Sequence, residues 1–518
     1  MTLQSKTIAG GLKERAALSG SKVAYCDAEK KFTWRETDQI TDALAARFKE
    51  KGMAQGEHVG IWGLNSIYWV FAYFAVQKIG AVAVLINPSY LEEEVKDVIE
   101  TAEVSWLLVG ELKCSRNSRA IIQKIQSDIS NLKKIEHLDQ IMSEVINHND
   151  KKSFNLEAKS PKDLAMIIFT SGTTSHPKGV MLNSAQVMTA MAAVAEHMRW
   201  TENDRLLLVL PLFHGSGINC SVLAAMQVGM ASVLIKSYHT KDVIQAIEKY
   251  RCTVFNAVPS MLTILANKLS GDADLSSLKS GILSGSTISS KNYLKVRKKL
   301  GYTHLIPAYG MTETSSLNTM ASLDESPETV CTTVGKILPG MQIRIADCES
   351  GKVLPVGKIG EIQIKGDYVS LGYYGLVEES KKSKTADGWF HTGDSGELDA
   401  EGNLIFKTRL SELIVRGGEN ISPHEIENAI SSSDDKIEAV KVVGIPDPVM
   451  QEEVAAVIKM RKGHLDANAL RDVLQSKLAY FKIPKIILEL DRFPMTSSGK
   501  VDIPKIKAVV LEKTKENK

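Results

Sequence analysis

The 518-residue sequence contains no Cys-x-x-Cys pair. Its six cysteines, Cys26, Cys114, Cys220, Cys252, Cys331 and Cys348, lie far apart, and none has histidines at zinc-ligand spacing. That excludes a zinc ribbon and a disulfide-stapled scaffold, and leaves isolated reduced thiols, as expected of a cytoplasmic protein. Neither sign of charge is in excess: 63 Lys and Arg against 61 Asp and Glu give a net charge of +2. A surface so balanced offers no general field for nucleic acid or an anionic membrane. A signal-peptide core is missing too, because Lys13, Glu14 and Arg15 interrupt the place where an apolar run is needed.

Two stretches lack acidic and basic residues, 59–77 and 206–235. The second holds Pro211, His214, Gly215, Gly217, Asn219 and Gly229, punctuation foreign to a spanning helix. It reads as a strand at 206–210, a loop, a helix at 218–227 and a strand at 231–236. The first reads as a strand, a cap at Asn65 and Ser66, a helix, and a further strand at 81–86. No transmembrane segment is expected. Continuous apolar strands are the mark of parallel sheets covered on both faces.

Further apolar runs at 104–109, 165–169, 254–258 and 281–283 alternate with helical periods at 241–250 and 260–268. That alternation predicts an α/β fold with parallel sheets. The polar connection 148–163 is a candidate sub-domain boundary. After about residue 330 glycine and proline become frequent and strands alternate, as at 342–346 and 361–365, which predicts a small β-rich subdomain. From 411 onward strand and helix patterns resume in a compact α+β block. The expected organisation is a large N-terminal domain of stacked α/β sheets over 1–410, followed by a small mobile C-terminal domain over 411–518. There are no repeats and no low-complexity tract.

The chemistry concentrates after the apolar strand at 165–169. Thr170, Ser171, Gly172, Thr173 and Thr174 supply hydroxyls, amides and a permissive backbone, and Lys178 adds a positive charge ahead of Gly179. Small donors closing on a lysine suit a polyphosphate, although the loop lacks the G-x-x-x-x-G-K-[ST] spacing of a Walker loop. Read alone, it could equally be a Ser/Thr-rich surface loop. Other blocks follow in order: Pro211-Leu-Phe-His-Gly215, Tyr309-Gly-Met-Thr-Glu313, Gly388-Trp-Phe-His-Thr-Gly-Asp394, Arg416-Gly-Gly-Glu-Asn420 and Ser498-Gly-Lys500.

Together these blocks resemble the acyl-adenylate-forming superfamily, over nearly the whole chain. The resemblance implies an AMP-forming acid–thiol ligase, an acyl-CoA synthetase using ATP, Mg2+ and coenzyme A. It implies that Thr170 to Thr174 and Lys178 hold phosphates and that Glu313 holds the metal. Thr312 would donate to the α-phosphate, Tyr309 would face adenine, and Asp394 and Arg409 would serve the ribose. Lys500 would be the catalytic lysine of the adenylation step. After a rotation of the small domain, Gly417 and Gly418 would let pantetheine approach. The acid would lie among His214, the helix after it, Gly285, Ser286, Thr287, Gly310 and Met311, several of which also count as nucleotide-binding positions. His214 stands as a gate or packing group, with a thiol-side base as the lesser alternative. Gly215, Ser216 and Gly217 are small, which predicts room for a medium- or long-chain fatty acid or an aryl acid. The family pattern is broken at Ser175, Pro307, Ser411 and Val415, but no essential charge is lost. Two alternatives stay open: a stand-alone enzyme that loads a carrier protein, and a silent nucleotide-binding relative. A homodimer is one option for assembly.

Overall fold

The computed structural model describes residues 2–112, 118–147, 153–156, 159–170, 177–269, 271, 273–417, 419–496 and 500–516. Two large sheets dominate the N-terminal domain. One has seven strands, ordered Gly372–Tyr373, Lys178–Asn183, Leu164–Thr170, Val82–Ile86, His58–Trp62, Trp106–Val109 and Lys134–His137. The other has nine, with Ser280–Leu283, Val254–Phe255, Arg205–Leu208 and Ala231–Leu234 at its parallel centre. Between them runs the helix Ile67–Ile79, of which only Tyr68 is not fully buried. Ser66 caps its start by accepting from the Trp69 amide at 3.0 Å, and Gly80, at φ +77°, ends it in a left-handed turn. Lys78, the one cation on this helix, is buried but paired with Asp38 and Asp42 at 2.7 and 2.5 Å. Pairing offsets the desolvation that a lone buried ammonium would suffer.

Both faces of the seven-stranded sheet are apolar. Val59, Ile61, Ala83 and Leu85 face the central helix, while Trp62, Val82, Val84 and Ile86 face the helices Glu92–Thr101 and Ser118–Asp128. This two-sided burial explains why the strands read as continuous apolar runs. The polar connection 148–163 does not divide sub-domains: the strand Leu164–Thr170 beyond it pairs in parallel with Val82–Ile86, Ala83 opposite Met166. Sheet hydrogen bonding joins the elements on either side of the connection, so its polar composition marks no boundary.

A four-stranded antiparallel sheet, Met341–Ala346, Gly360–Gly366, Phe390–Leu398 and Leu404–Arg409, forms the β-rich subdomain. The small C-terminal domain is built on a sheet whose central hairpin, Ile437–Asp447 and Gln451–Met460, carries Ile414–Arg416 and Ile486–Glu489 on one edge. Its core is separate, centred on Ile414, Ile426, Val454 and Leu474. No helix among the described residues is long and apolar enough to cross a membrane. The five described cysteines are free thiols.

Candidate active site

The strand His304–Tyr309 delivers its last residue into a tight loop, 310–318. A Cβ on Gly310 would lie 2.1 Å from the Ser316 carbonyl oxygen, so only glycine fits there. Ser315 and Ser316 sit at φ +57° and +92°, a strained conformation held by the amides of Ser316 and Asn318 donating to Met311 and Tyr309. The loop buries Thr312 and Glu313. Glu313 Oε1 accepts from the Tyr373 hydroxyl at 3.1 Å, and the Tyr373 ring lies 5.2 Å from Lys178 Nζ. Burial pushes the Glu313 carboxyl up, and Tyr373, Arg409 and Lys178 oppose that rise.

Asp394 and Arg409 are register partners on the adjacent strands Phe390–Leu398 and Leu404–Arg409. Arg409 Nε lies 3.6 Å from Asp394 Oδ1, and the Tyr309 hydroxyl donates to Oδ2 at 2.8 Å. Tyr309 itself is buried, its ring centroid 5.8 Å from that of Phe406. Burial raises the Asp394 carboxyl, while Arg409 and Tyr309 pull it down.

Lys500 comes from the small domain and stands over the turn after Ser280–Leu283. Gly285 there has φ +88°, and a Cβ on it would lie 3.4 Å from Lys500 Cε and 3.9 Å from Nζ. Burial lowers the Lys500 ammonium, and Arg409 lowers it further against Asp394 and Glu412. Thr496 and Lys500 exchange two hydrogen bonds, Thr496 N donating to Lys500 O at 2.7 Å and Lys500 N to Thr496 Oγ1 at 3.1 Å. His214 caps the helical turn that follows it, accepting at Nδ1 from the Ser216 amide at 3.4 Å. Burial, assisted by Lys500, lowers its imidazole to about 4, so it is neutral at pH 7.

The turn from 215 to 228 is not one regular helix. Gly215–Gly217 is α-helical, Ile218–Leu223 is a π-helix and Ala224–Val228 returns to α. The small residues ahead of it do not leave space. A Cβ on Gly215 would meet Ser316 Oγ at 2.4 Å, and one on Gly217 would meet the Pro211 carbonyl at 2.1 Å. Gly217 serves close packing on backbone and Gly215 on the Ser316 hydroxyl, which corrects the expectation of room for a bulky acid at these positions.

Thr170 and Lys178, the ends of the phosphate-loop candidate, are register partners. Ser171, Gly172, Thr173, Thr174 and Gly418 lie outside the described residues. Ser286 and Thr287 are exposed beside Gly285, Met311 caps the turn Thr312–Thr314, and Gly417, at φ +59°, donates its amide to the Met450 carbonyl. Sequence reasoning missed Tyr373 and Glu412. Tyr373 is 60 residues from Glu313, and the strand Gly372–Tyr373 reaches it only by pairing with Lys178–Asn183. Glu412 is one residue past Ser411, and its charge raises the proton affinity of Lys500, Asp394 and Lys441.

Among the described residues no three His, Cys, Asp or Glu side chains gather to cage a metal. The buried Glu313 carboxylate still fits Mg2+, which is usually bound by one or two carboxylates together with substrate phosphates.

The cluster lies where a loop of the small domain meets the large one. Residues 12–374 match the family model described as AMP-binding enzyme, and 425–500 match that of its C-terminal domain. The human protein named medium-chain acyl-CoA ligase ACSF2, mitochondrial, is 26% identical over 533 residues, covering 96% of this chain and 86% of its own. ATP-bound MatB from Rhodopseudomonas palustris superimposes with a TM-score of 0.89 at 25% identity, covering 98% and 99% of the two chains. The o-succinylbenzoate CoA synthetase MenE from Bacillus subtilis, in complex with its acyl-adenylate, gives 0.83 at 28% identity over 96% and 97%. The chain belongs to the AMP-binding enzyme family, within the acyl-adenylate-forming superfamily. It is an AMP-forming acid–CoA ligase, working with ATP, Mg2+ and coenzyme A.

Proposed function

We propose that the enzyme activates a medium- or long-chain fatty acid, or an aryl acid, and that the residues gathered around Lys500 perform the first half-reaction. The observation that carries this is the position of Lys500, brought from one domain to Gly285 of the other and within electrostatic reach of Asp394 and Arg409. The name of the medium-chain relative supports the acid class.

Adenylation brings a carboxylate against the α-phosphate of ATP, so negative charge must be neutralised where it builds. Lys500 supplies a point charge there. Lys178 lies over the Tyr373 ring and Glu313 accepts from its hydroxyl, so one tyrosine joins a cation and a carboxylate, which supports a polyphosphate with its metal at this point. Mg2+ supplies charge neutralisation at the phosphates. Asp394 accepts from the ribose hydroxyls, held in place by Tyr309 and Arg409. Thr312 donates to the α-phosphate. His214 is neutral, and with Nδ1 accepting, its proton sits on Nε2. It can therefore donate toward the acid, which favours a gate over a thiol base. The domain boundary falls at 410/411, with Ser411 at the joint. Rotation about it brings Arg416 and Gly417 to the thioester step, and the cytoplasm is the compartment we assign.

The test is mass spectrometry of products from Mg-ATP and a pooled panel of acids, with and without CoA. An acyl-CoA of medium or long chain length, or of aryl type, supports the reading. Acyl-AMP that persists despite CoA would put a carrier protein's phosphopantetheine in CoA's place. Absence of AMP in every mixture would leave only nucleotide binding.

A further inference from the structure

The segment of the large domain that receives Lys500 carries a second contact with the small domain. Lys500 stands over Gly285, and Lys291, six residues further on, is ion-paired with Asp435 of the small domain. Gly285 and Lys291 both lie where the strand Ser280–Leu283 leads into the helix Ser290–Leu300.

Neither charge of this pair is explained by its own domain. Lys291 sits in the first turn of its helix, where the helix dipole disfavours a cation, and no acidic residue shares that turn. Asp434 and Asp435 follow the helix Pro423–Ser431, beyond the end that disfavours an anion, and no basic residue occupies its last turn. Each charge is placed against its own helix and relieved by the other across the domain interface.

Both partners stand on braced backbone. Ser289 caps the Lys291 helix by accepting from the Asn292 amide at 3.4 Å, and the Tyr293 hydroxyl donates to the Leu305 carbonyl at 2.5 Å. On the other side Asp434 Oδ1 accepts from the Lys436 amide at 2.8 Å, and the Arg461 amide donates to the Lys436 carbonyl at 2.7 Å. The next turn of the helix adds no clear attraction. Burial lowers the Lys295 ammonium, and Arg461 of the small domain lowers it further while Glu438 opposes.

Three points fix the orientation of one rigid body on another. The joint at 410/411, Lys500 at Gly285 and Asp435 at Lys291 are three such points. We propose that Lys291 and Asp435 are positioning residues for adenylation, their ion pair holding the small domain so that Lys500 stays at Gly285. The inference rests on the assignment of Lys500 to that step. The two side chains are 49% and 84% exposed, so the pair is weak enough to open when the small domain rotates, and salt screens it.

The experiment follows ATP–pyrophosphate exchange, with an acid that wild type activates, and thioester formation from the supplied acyl-AMP. The variants are Lys291→Glu, Asp435→Lys, the two combined, Lys291→Arg and Lys500→Ala. At low ionic strength each single reversal should lower kcat for exchange about threefold or more, with the KM for ATP unchanged. The combined swap should restore it, and Lys291→Arg should match wild type. The deficit should shrink as salt is raised. Thioester formation from acyl-AMP should not fall in the reversals, which also reports that they fold. Carbodiimide treatment of wild type should join Lys291 to Asp435 through an amide, read by peptide mass spectrometry. Full exchange in the single reversals at low salt, no recovery in the combined swap, or no such amide overturns the positioning role while leaving Lys500 in its step. Exchange that survives Lys500→Ala overturns both.

Discussion

Tyr309 and Asp394 are joined by a 2.8 Å hydrogen bond between residues 85 apart in sequence, and Arg409 flanks the same carboxylate from the neighbouring strand. The carboxylate is thus aimed before any nucleotide arrives. Its free oxygen capacity is directed to one side by a hydroxyl it cannot lose without exposing a buried charge.

Tyr309→Phe removes that donor and leaves the ring. A hydrogen bond to a charged group is worth about 1.5–3 kcal/mol. The KM for ATP should rise about tenfold or more while kcat falls less, read by pyrophosphate exchange over an ATP series. An unchanged KM would mean that Asp394 is oriented by Arg409 alone.

Lys500→Ala should cripple acyl-AMP formation by about 10²–10³-fold, the size expected for losing a preorganised electrostatic group. Thioester formation from supplied acyl-AMP should be spared. Equal loss in both half-reactions would remove Lys500 from the first step.

Glu313→Gln keeps the shape and the Tyr373 contact but removes the charge that Mg2+ needs. Adenylation should fall about 10²-fold or more, and the Mg2+ concentration for half-maximal rate should climb. A variant with an ordinary Mg2+ titration would place the metal elsewhere.

His214 gives a pH signature. Its folded-state value is lowered from 6.5 to about 4 by burial, with Lys500 adding to the effect. Above pH 6.5 it is neutral folded or unfolded and contributes no pH dependence. As pH falls from 6.5 toward 4, the unfolded chain takes up a proton that the folded one refuses, so stability declines through this window. Chemical denaturation of wild type and His214→Gln across pH 4–7 should show the decline reduced in the variant. Parallel curves would mean that His214 titrates normally.

Gly217→Ala should destabilise the large domain by about 1–3 kcal/mol or more, because its methyl would lie 2.1 Å from the Pro211 carbonyl, a backbone atom with little freedom to yield. A melting temperature within a degree of wild type would show that the turn has slack.

The parallel core was legible because each strand there is covered on both faces. The apolar run at 165–169 is the strand Leu164–Thr170, and that at 281–283 is Ser280–Leu283. The β-rich unit and the strands of the small C-terminal domain also followed from pattern. The apolar continuity at 218–227 concealed a change of helical type, since the π-turn at Ile218–Leu223 leaves composition untouched. The motifs named most of the cluster, but Tyr373 carries no local signal: its role depends on a two-residue strand meeting Lys178–Asn183. The glycines at 215 and 217 read as empty volume, because a sequence cannot tell space for a ligand from space already filled by the Ser316 hydroxyl and the Pro211 carbonyl.

That last distinction bears on how the substrate range of such a chain can be redesigned. Libraries that vary 217 would be filled with members that cannot close the turn against the Pro211 carbonyl, whereas at 215 the obstacle is the Ser316 hydroxyl, a side chain that can be varied together with it.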